Sequence, residues 1–165
     1  LRDAKLEDLL DAENLEDMID LVSNPAACNF FKHCTAVLRV KEVEYGGSRR
    51  KLAYVECVFA GDGIKVTVAP DVSGGDIEYY ASVTFRGVEV ARDEGWIDAR
   101  KALAGALDDL AARVARARVL AQSLAGELAG VESDSAVVVV AKNIKVFERL
   151  LGLGEARGPV QGART

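Results

Sequence analysis

The chain holds three cysteines, Cys28, Cys34 and Cys57, and a single histidine, His33. These are its best candidates for soft-metal ligation or nucleophilic chemistry. Thiolates with an imidazole suit tetrahedral zinc. The spacing of Cys28, His33 and Cys34, with Cys57 on a later strand, matches neither a C-x-x-C pair nor a zinc knuckle. A Cys–His nucleophile also needs an orienting third group, and neighbours on one short segment rarely face each other. The expectation is buried thiols beside an incidental histidine, with no metal, no cofactor and no catalytic residue assigned. Lacking a second histidine, the chain has little material for metal-hydrolase or serine-hydrolase schemes.

The carboxylates give acid–base chemistry no clear pair. Glu56, Glu78 and Asp93 are candidates for an enzyme reading, yet nothing in the sequence brings two of them together. The N-terminal run Asp3, Glu7, Asp8, Asp11, Glu13, Glu16, Asp17 and Asp20 does not follow a calcium loop. It reads as the solvated face of a helix, or as an acidic helix that docks on a protein partner. Gly61-Asp62-Gly63 and Gly74-Gly75-Asp76 lack the strand–glycine–helix setting of a phosphate site and read as turns.

Cations form two clusters. Arg49, Arg50 and Lys51 sit at a hairpin, with Arg39 and Lys41 nearby, and Arg113, Arg116 and Arg118 lie on a long helix. Nucleic-acid binding wants aromatic side chains among such cations, and Tyr54 alone stands close. The net charge of −5 also disfavours polyanionic partners. Nucleic acid, using Arg49, Arg50 and Lys51, is therefore an alternative reading only.

The elements that must position these residues follow from periodicity. Leu1 to Val22 reads as helix in two apolar patches, Leu6, Leu9 and Leu10, then Leu15, Met18, Ile19 and Val22, with Asn14 as an internal N-cap. Asn24-Pro25 ends it. Thr35–Tyr45 alternates with Ala36, Leu38 and Val40 on one face, and its later residues fall out of phase, as a bulge near Glu42 would produce. Leu52–Ala60, Ile64–Val68 and Ile77–Phe85 complete a four-stranded antiparallel meander, the last able to extend past Gly87 to Val90. Ala53, Val55, Cys57 and Phe59 should face the core.

Asp93 or Glu94 then opens a long helix reaching Ala129. Leu103, Leu107, Leu110, Val114, Ala117, Ala121, Leu124 and Leu128 recur at steps of four and three, a heptad seam. Gly130 stops it, and Ser133 or Ser135 caps a second helix through Leu151. The four valines from Val137 favour strand locally, but helical periodicity continues beyond them. The expected class is α+β: N-terminal helix, four-stranded antiparallel meander, long helix and second helix in a C-terminal αα-hairpin. One domain spans 1–152, and 153–165 is a polar, Gly-rich tail.

Composition fits a folded chain: 50% hydrophobic, 28% charged and only 6% aromatic. The odd cysteine count and the lack of a charged-then-apolar leader indicate reduced thiols in a cytoplasm. No apolar run approaches the ~20 residues of a membrane span. Met18 as sole methionine, with only Gln122 and Gln161, fits a heat-adapted source or, equally, a high-GC coding bias. The seam carries more apolar surface than one sheet hides, which predicts a non-enzymatic, self-associating assembly module, a homodimer. The rival is an apolar-ligand cavity between sheet and long helix, roomy at Ala99, Ala102 and Gly105.

Overall fold

A computed structural model describes residues 10–24, 30–72, 75–124 and 134–155. Helix α1 (Ala12–Ser23) precedes strands β1 (Thr35–Tyr45), β2 (Ser48–Phe59), β3 (Ile64–Asp71), β4 (Glu78–Phe85) and β5 (Val88–Trp96). Helices α2 (Ala99–Ser123), α3 (Ser135–Lys142) and α4 (Ile144–Glu155) follow. The strands pair antiparallel in sequence order, so β1 and β5 are the edges. The expected α+β class is correct. The sheet has five strands rather than four.

The extra strand is β5. Arg86-Gly87 forms a two-residue turn with both φ positive, at 50° and 82°. That is hairpin geometry normally signalled by Asn-Gly or Asp-Gly. Arg86 is the only non-glycine with positive φ among the described residues, so the turn chemistry was hidden. Asp93 and Glu94 lie in β5 rather than capping α2, whose N-cap is Asp98, accepting from the Arg100 N–H at 2.9 Å. The expected bulge near Glu42 is also corrected: β1 pairs with β2 without a shift from Thr35 to Tyr45. Irregularity falls instead between β4 and β5, flanking Ala81–Val83.

The core is aliphatic. Ala53, Val55, Cys57 and Phe59 of β2 face it together with Ile64, Val66 and Val68 of β3 and Tyr79, Ala81, Val83 and Phe85 of β4. Against them pack Met18 and Leu21 of α1, and Leu103, Leu107, Leu110, Val114 and Ala117 of α2. Ile19, placed in that patch by spacing, is largely exposed, and Leu21 takes its place. The valine segment is helix, as expected. The single second helix is corrected to two, because Asn143 caps α3, donating its side-chain amide to the Val139 carbonyl at 3.0 Å. Phe147 of α4 meets Phe85 edge-on at 5.4 Å. The link expected to close the αα-hairpin, Leu6 and Leu9 of the first apolar patch and most of the tail lie outside the described residues, while Leu10 bridges to Lys51.

One local conflict organises the N-terminus. If β3 continued alongside β2, Pro70 would stand opposite Ala53, because the last pair is Val55 with Val68. Proline has no N–H to give a ladder. The sheet parts there, and Asn14 fills the gap. Its side-chain amide donates to the Ala53 carbonyl at 3.0 Å, and its oxygen accepts from the Ala53 N–H at 2.5 Å. Asn14 thus works as a one-residue strand, not as the N-cap its type suggested. Asp11 is the cap instead, accepting from the Asn14 N–H at 2.9 Å. The Asp11 N–H in turn donates to the Lys51 carbonyl at 3.1 Å.

Candidate functional site

The outer edge of β1 is the most distinctive surface. Ala53 directs both backbone groups to Asn14, away from β1. Pairing direction alternates along an antiparallel strand, so Leu52, Tyr54, Glu56 and Val58 are the residues that face β1. Their partners are Lys41, Arg39, Val37 and Thr35. Ala36, Leu38, Val40, Glu42 and Glu44 therefore turn their N–H and C=O groups outward. No described residue pairs with them.

Among the described residues, both faces of β1 also carry exposed apolar side chains. By register Ala36, Leu38 and Val40 lie on the core side of the sheet, beside Cys57, Val55 and Ala53. Yet α1 packs on β2, and α2 on β3, β4 and β5, and neither packs substantially on β1. Leu38 is 45% exposed, Val40 42% and, on the other face, Val37 37%. An exposed edge strand with this much apolar surface is a template for another chain.

The face away from the helices continues from β1 across the sheet. Lys41 donates to the Pro70 carbonyl at 3.0 Å and stands 5.9 and 5.8 Å from the Tyr54 and Tyr80 ring centres. Burial lowers its pKa, opposed by nearby Asp71. Arg92 covers the other part of Tyr80 at 4.4 Å. Tyr80 is the second aromatic that the sequence reading missed, since its proximity depends on strand order. Every cation mapped on this face has a counterweight. Arg39 and Lys65 both reach Glu56, at 2.6 and 3.5 Å, and Arg92 reaches Glu89 and Glu94 at 3.1 and 2.7 Å. The face is charged but not basic.

The other predicted residues disperse. Arg49 and Arg50 pair with Glu42 at 3.5 Å and Asp11 at 3.3 Å, and strand alternation puts Arg50 on the face opposite Arg49 and Lys51. Arg113 binds Asp109 and Asp134, and Arg118 binds Glu148. Glu78 lies on β4 opposite Asp71, while Asp93 accepts from the Trp96 indole at 2.7 Å. Neither approaches Glu56 as a facing acid. Cys57 is buried, Cys34 is half-buried beside it, and His33 is exposed. The Cys57 thiol donates to Cys34, which lowers the Cys34 pKa and raises that of Cys57. Cys28 lies outside the described residues. Among the described residues, no three metal-ligating side chains cluster.

Of the seam, Leu103, Leu107, Leu110, Val114 and Ala117 are buried within one chain, Ala121 and Leu124 are half-buried, and Leu128 is outside the described residues. Ala99, Ala102 and Gly105 are buried too; their small size brings α2 close to its neighbours. An apolar groove of about 560 Å³ lies elsewhere, between α2 and α3, lined by Ala115, Val119, Leu120 and Val137. Among the described residues no helix is long and apolar enough to cross a membrane.

No protein family, curated protein or solved structure matches this chain. Function therefore has to be argued from the surface itself.

Proposed function

We propose that this chain is a non-enzymatic protein-interaction and assembly module that takes an extended segment of a partner onto the outer edge of β1. The observation that carries the reading is the row of outward backbone groups at Ala36, Leu38, Val40, Glu42 and Glu44, on a strand that exposes Leu38 and Val40 on one face and Val37 on the other. Strand addition uses such groups for affinity and the alternating side chains for selectivity. A partner strand would meet Ala36, Leu38 and Val40 on one face, and Val37, Arg39 and Lys41 on the other. The long-helix seam supports assembly less directly, because most of it is used within the chain's own core.

Site-specific photo-cross-linking tests this. A benzoylphenylalanine replaces Val37 on β1 or, as control, Val88 on β5, in cells making the full chain. Discrete adducts from position 37, mapping to extended segments and not formed from position 88, are expected. Equal adducts from both positions, or none from 37, would remove the reading.

A further inference from the structure

Resting on that reading, we propose that the segment added to β1 is β1 of a second copy, antiparallel, with Leu38 facing Leu38 across a two-fold axis. Symmetry and charge together select this register. When a strand edge pairs antiparallel with its own copy, the two-fold axis stands perpendicular to the sheet. Side chains of paired residues must share a face, so one residue always sits opposite itself. The choice of that residue fixes the whole register.

The charges of β1 remove most choices, since like charges directly opposite are destabilising. Centring on Arg39, Lys41, Glu42 or Glu44 sets a charge against its own copy. Centring on Val40 sets Arg39 against Lys41 twice, and centring on Val43 sets Glu42 against Glu44 twice. What remains is Leu38 and registers nearer either end of the strand. Of these, Leu38 pairs the longest stretch, Thr35 to Lys41 of each copy.

That register also uses the exposed apolar surface. Leu38 meets Leu38, and Ala36 meets Val40 twice, making one apolar stripe on the helix side of a continuous ten-stranded sheet. Ala36, Leu38 and Val40 are among the residues with outward backbone groups, so within the paired stretch the same three residues supply hydrogen bonds and apolar contact. On the opposite face Val37 meets the stem of Arg39, whose charge is already matched by Glu56 at 2.6 Å. Thr35 meets Lys41. An interface of so few residues is small, so the dimer should be concentration-dependent.

Opposite-charge variants at the axis give the test. Wild type, Leu38→Lys and Leu38→Glu are studied as full chains by analytical ultracentrifugation, alone and as an equimolar mixture of the two variants, with circular dichroism confirming the fold. Wild type should pass from monomer to dimer with rising concentration. Each variant alone should dimerise about tenfold or more weakly, with like charges at the axis. The mixture should recover dimer, containing one copy of each by native mass spectrometry, because an introduced ammonium then faces an introduced carboxylate across the axis. A wild type that stays monomeric, variants that dimerise as wild type does, or a mixture that remains monomeric would each overturn the proposal. The broader reading is decided separately: a different protein cross-linked at position 37 keeps β1 as a binding edge, whereas no adduct removes both.

Discussion

β1 and β5 bound the same sheet, yet their outer backbone groups meet different fates. On β5 the Arg92 N–H donates to Asp109 of α2 at 3.0 Å, and α3 packs alongside. The strand is crowded with Glu89, Arg92, Asp93 and Glu94, and its register shifts twice. Charges, irregular pairing and helical cover are the usual protections of an edge. The part of β2 abandoned by β3 receives similar care from Asn14 and Asp11. β1 has eleven residues and regular pairing to β2, and no described helix packs extensively on it. Among the described residues, two stretches are sealed by dedicated side chains and the longest one is open, which is the contrast that motivates the proposed strand addition at β1. On the proposed reading, the charges of β1 would filter what can pair there rather than bar pairing.

The sealed stretch should show the largest loss when broken. Asn14→Ala leaves the Ala53 N–H and C=O buried without partners, and each such group costs about 1–3 kcal/mol. The expected loss is roughly 2–5 kcal/mol in urea denaturation. A loss below about 1 kcal/mol would mean that water replaces the amide. Next in size, Asp109→Ala removes the acceptor of the Arg92 N–H, while Arg113 keeps Asp134. About 1 kcal/mol should be lost, and the Arg92 amide should exchange faster by hydrogen-exchange NMR. An unchanged exchange rate at Arg92 would show that Asp109 does not guard the edge.

The open edge should show the reverse. In dilute, monomeric protein Leu38→Lys should alter stability by no more than about 0.5 kcal/mol, as for surface substitutions in general. Thermal or urea unfolding below the dimerisation range reads this. A cost of about 2 kcal/mol would show that Leu38 is already covered in the single chain, and the contrast between the edges would be lost.

Alternation was enough to locate β1 to β4, but it started β2 at Leu52 where the strand begins at Ser48, because Arg49, Arg50 and Lys51 carry no apolar alternation to show their pairing. It was not enough for β5, where charges interrupt the pattern and an arginine occupies a left-handed turn position. Nor does alternation reveal cover. Ala36, Leu38 and Val40 look in sequence like Ala53, Val55 and Cys57, yet the first set is open and the second buried. The difference is made by where α1 and α2 come to rest, which is a long-range property. The heptad seam was legible as helix from Leu103 to Ala121, although α2 ends at Ser123 rather than Ala129, with Leu124 as its C-cap; the identity of its cover was not legible. Asn14 misled for a related reason: an Asn near a helix start reads as a cap, and only Pro70, far along the chain, creates the unpaired strand position it serves.

The smallest expected effect lies at the outer end of the β2 seal. Tyr79 accepts from the Asn14 amide at 3.2 Å and donates to Asp17 at 2.9 Å. Burial raises the Asp17 pKa; the Tyr79 hydrogen bond opposes this, and Asp98, Glu16 and Asp20 add repulsion that raises it further. The folded state therefore holds this proton more tightly than the unfolded chain. Its contribution is fully present below the unfolded carboxylate value and is lost as pH rises through the folded one. Asp17→Asn keeps an oxygen to accept from Tyr79 and never carries the charge. The variant should be modestly more stable than wild type near neutral pH, with the gap closing as pH falls to about 3. Urea midpoints measured across that range check it. A gap that does not change with pH would show that the carboxylate is as well solvated in the fold as outside it, and that the seal ends at Tyr79.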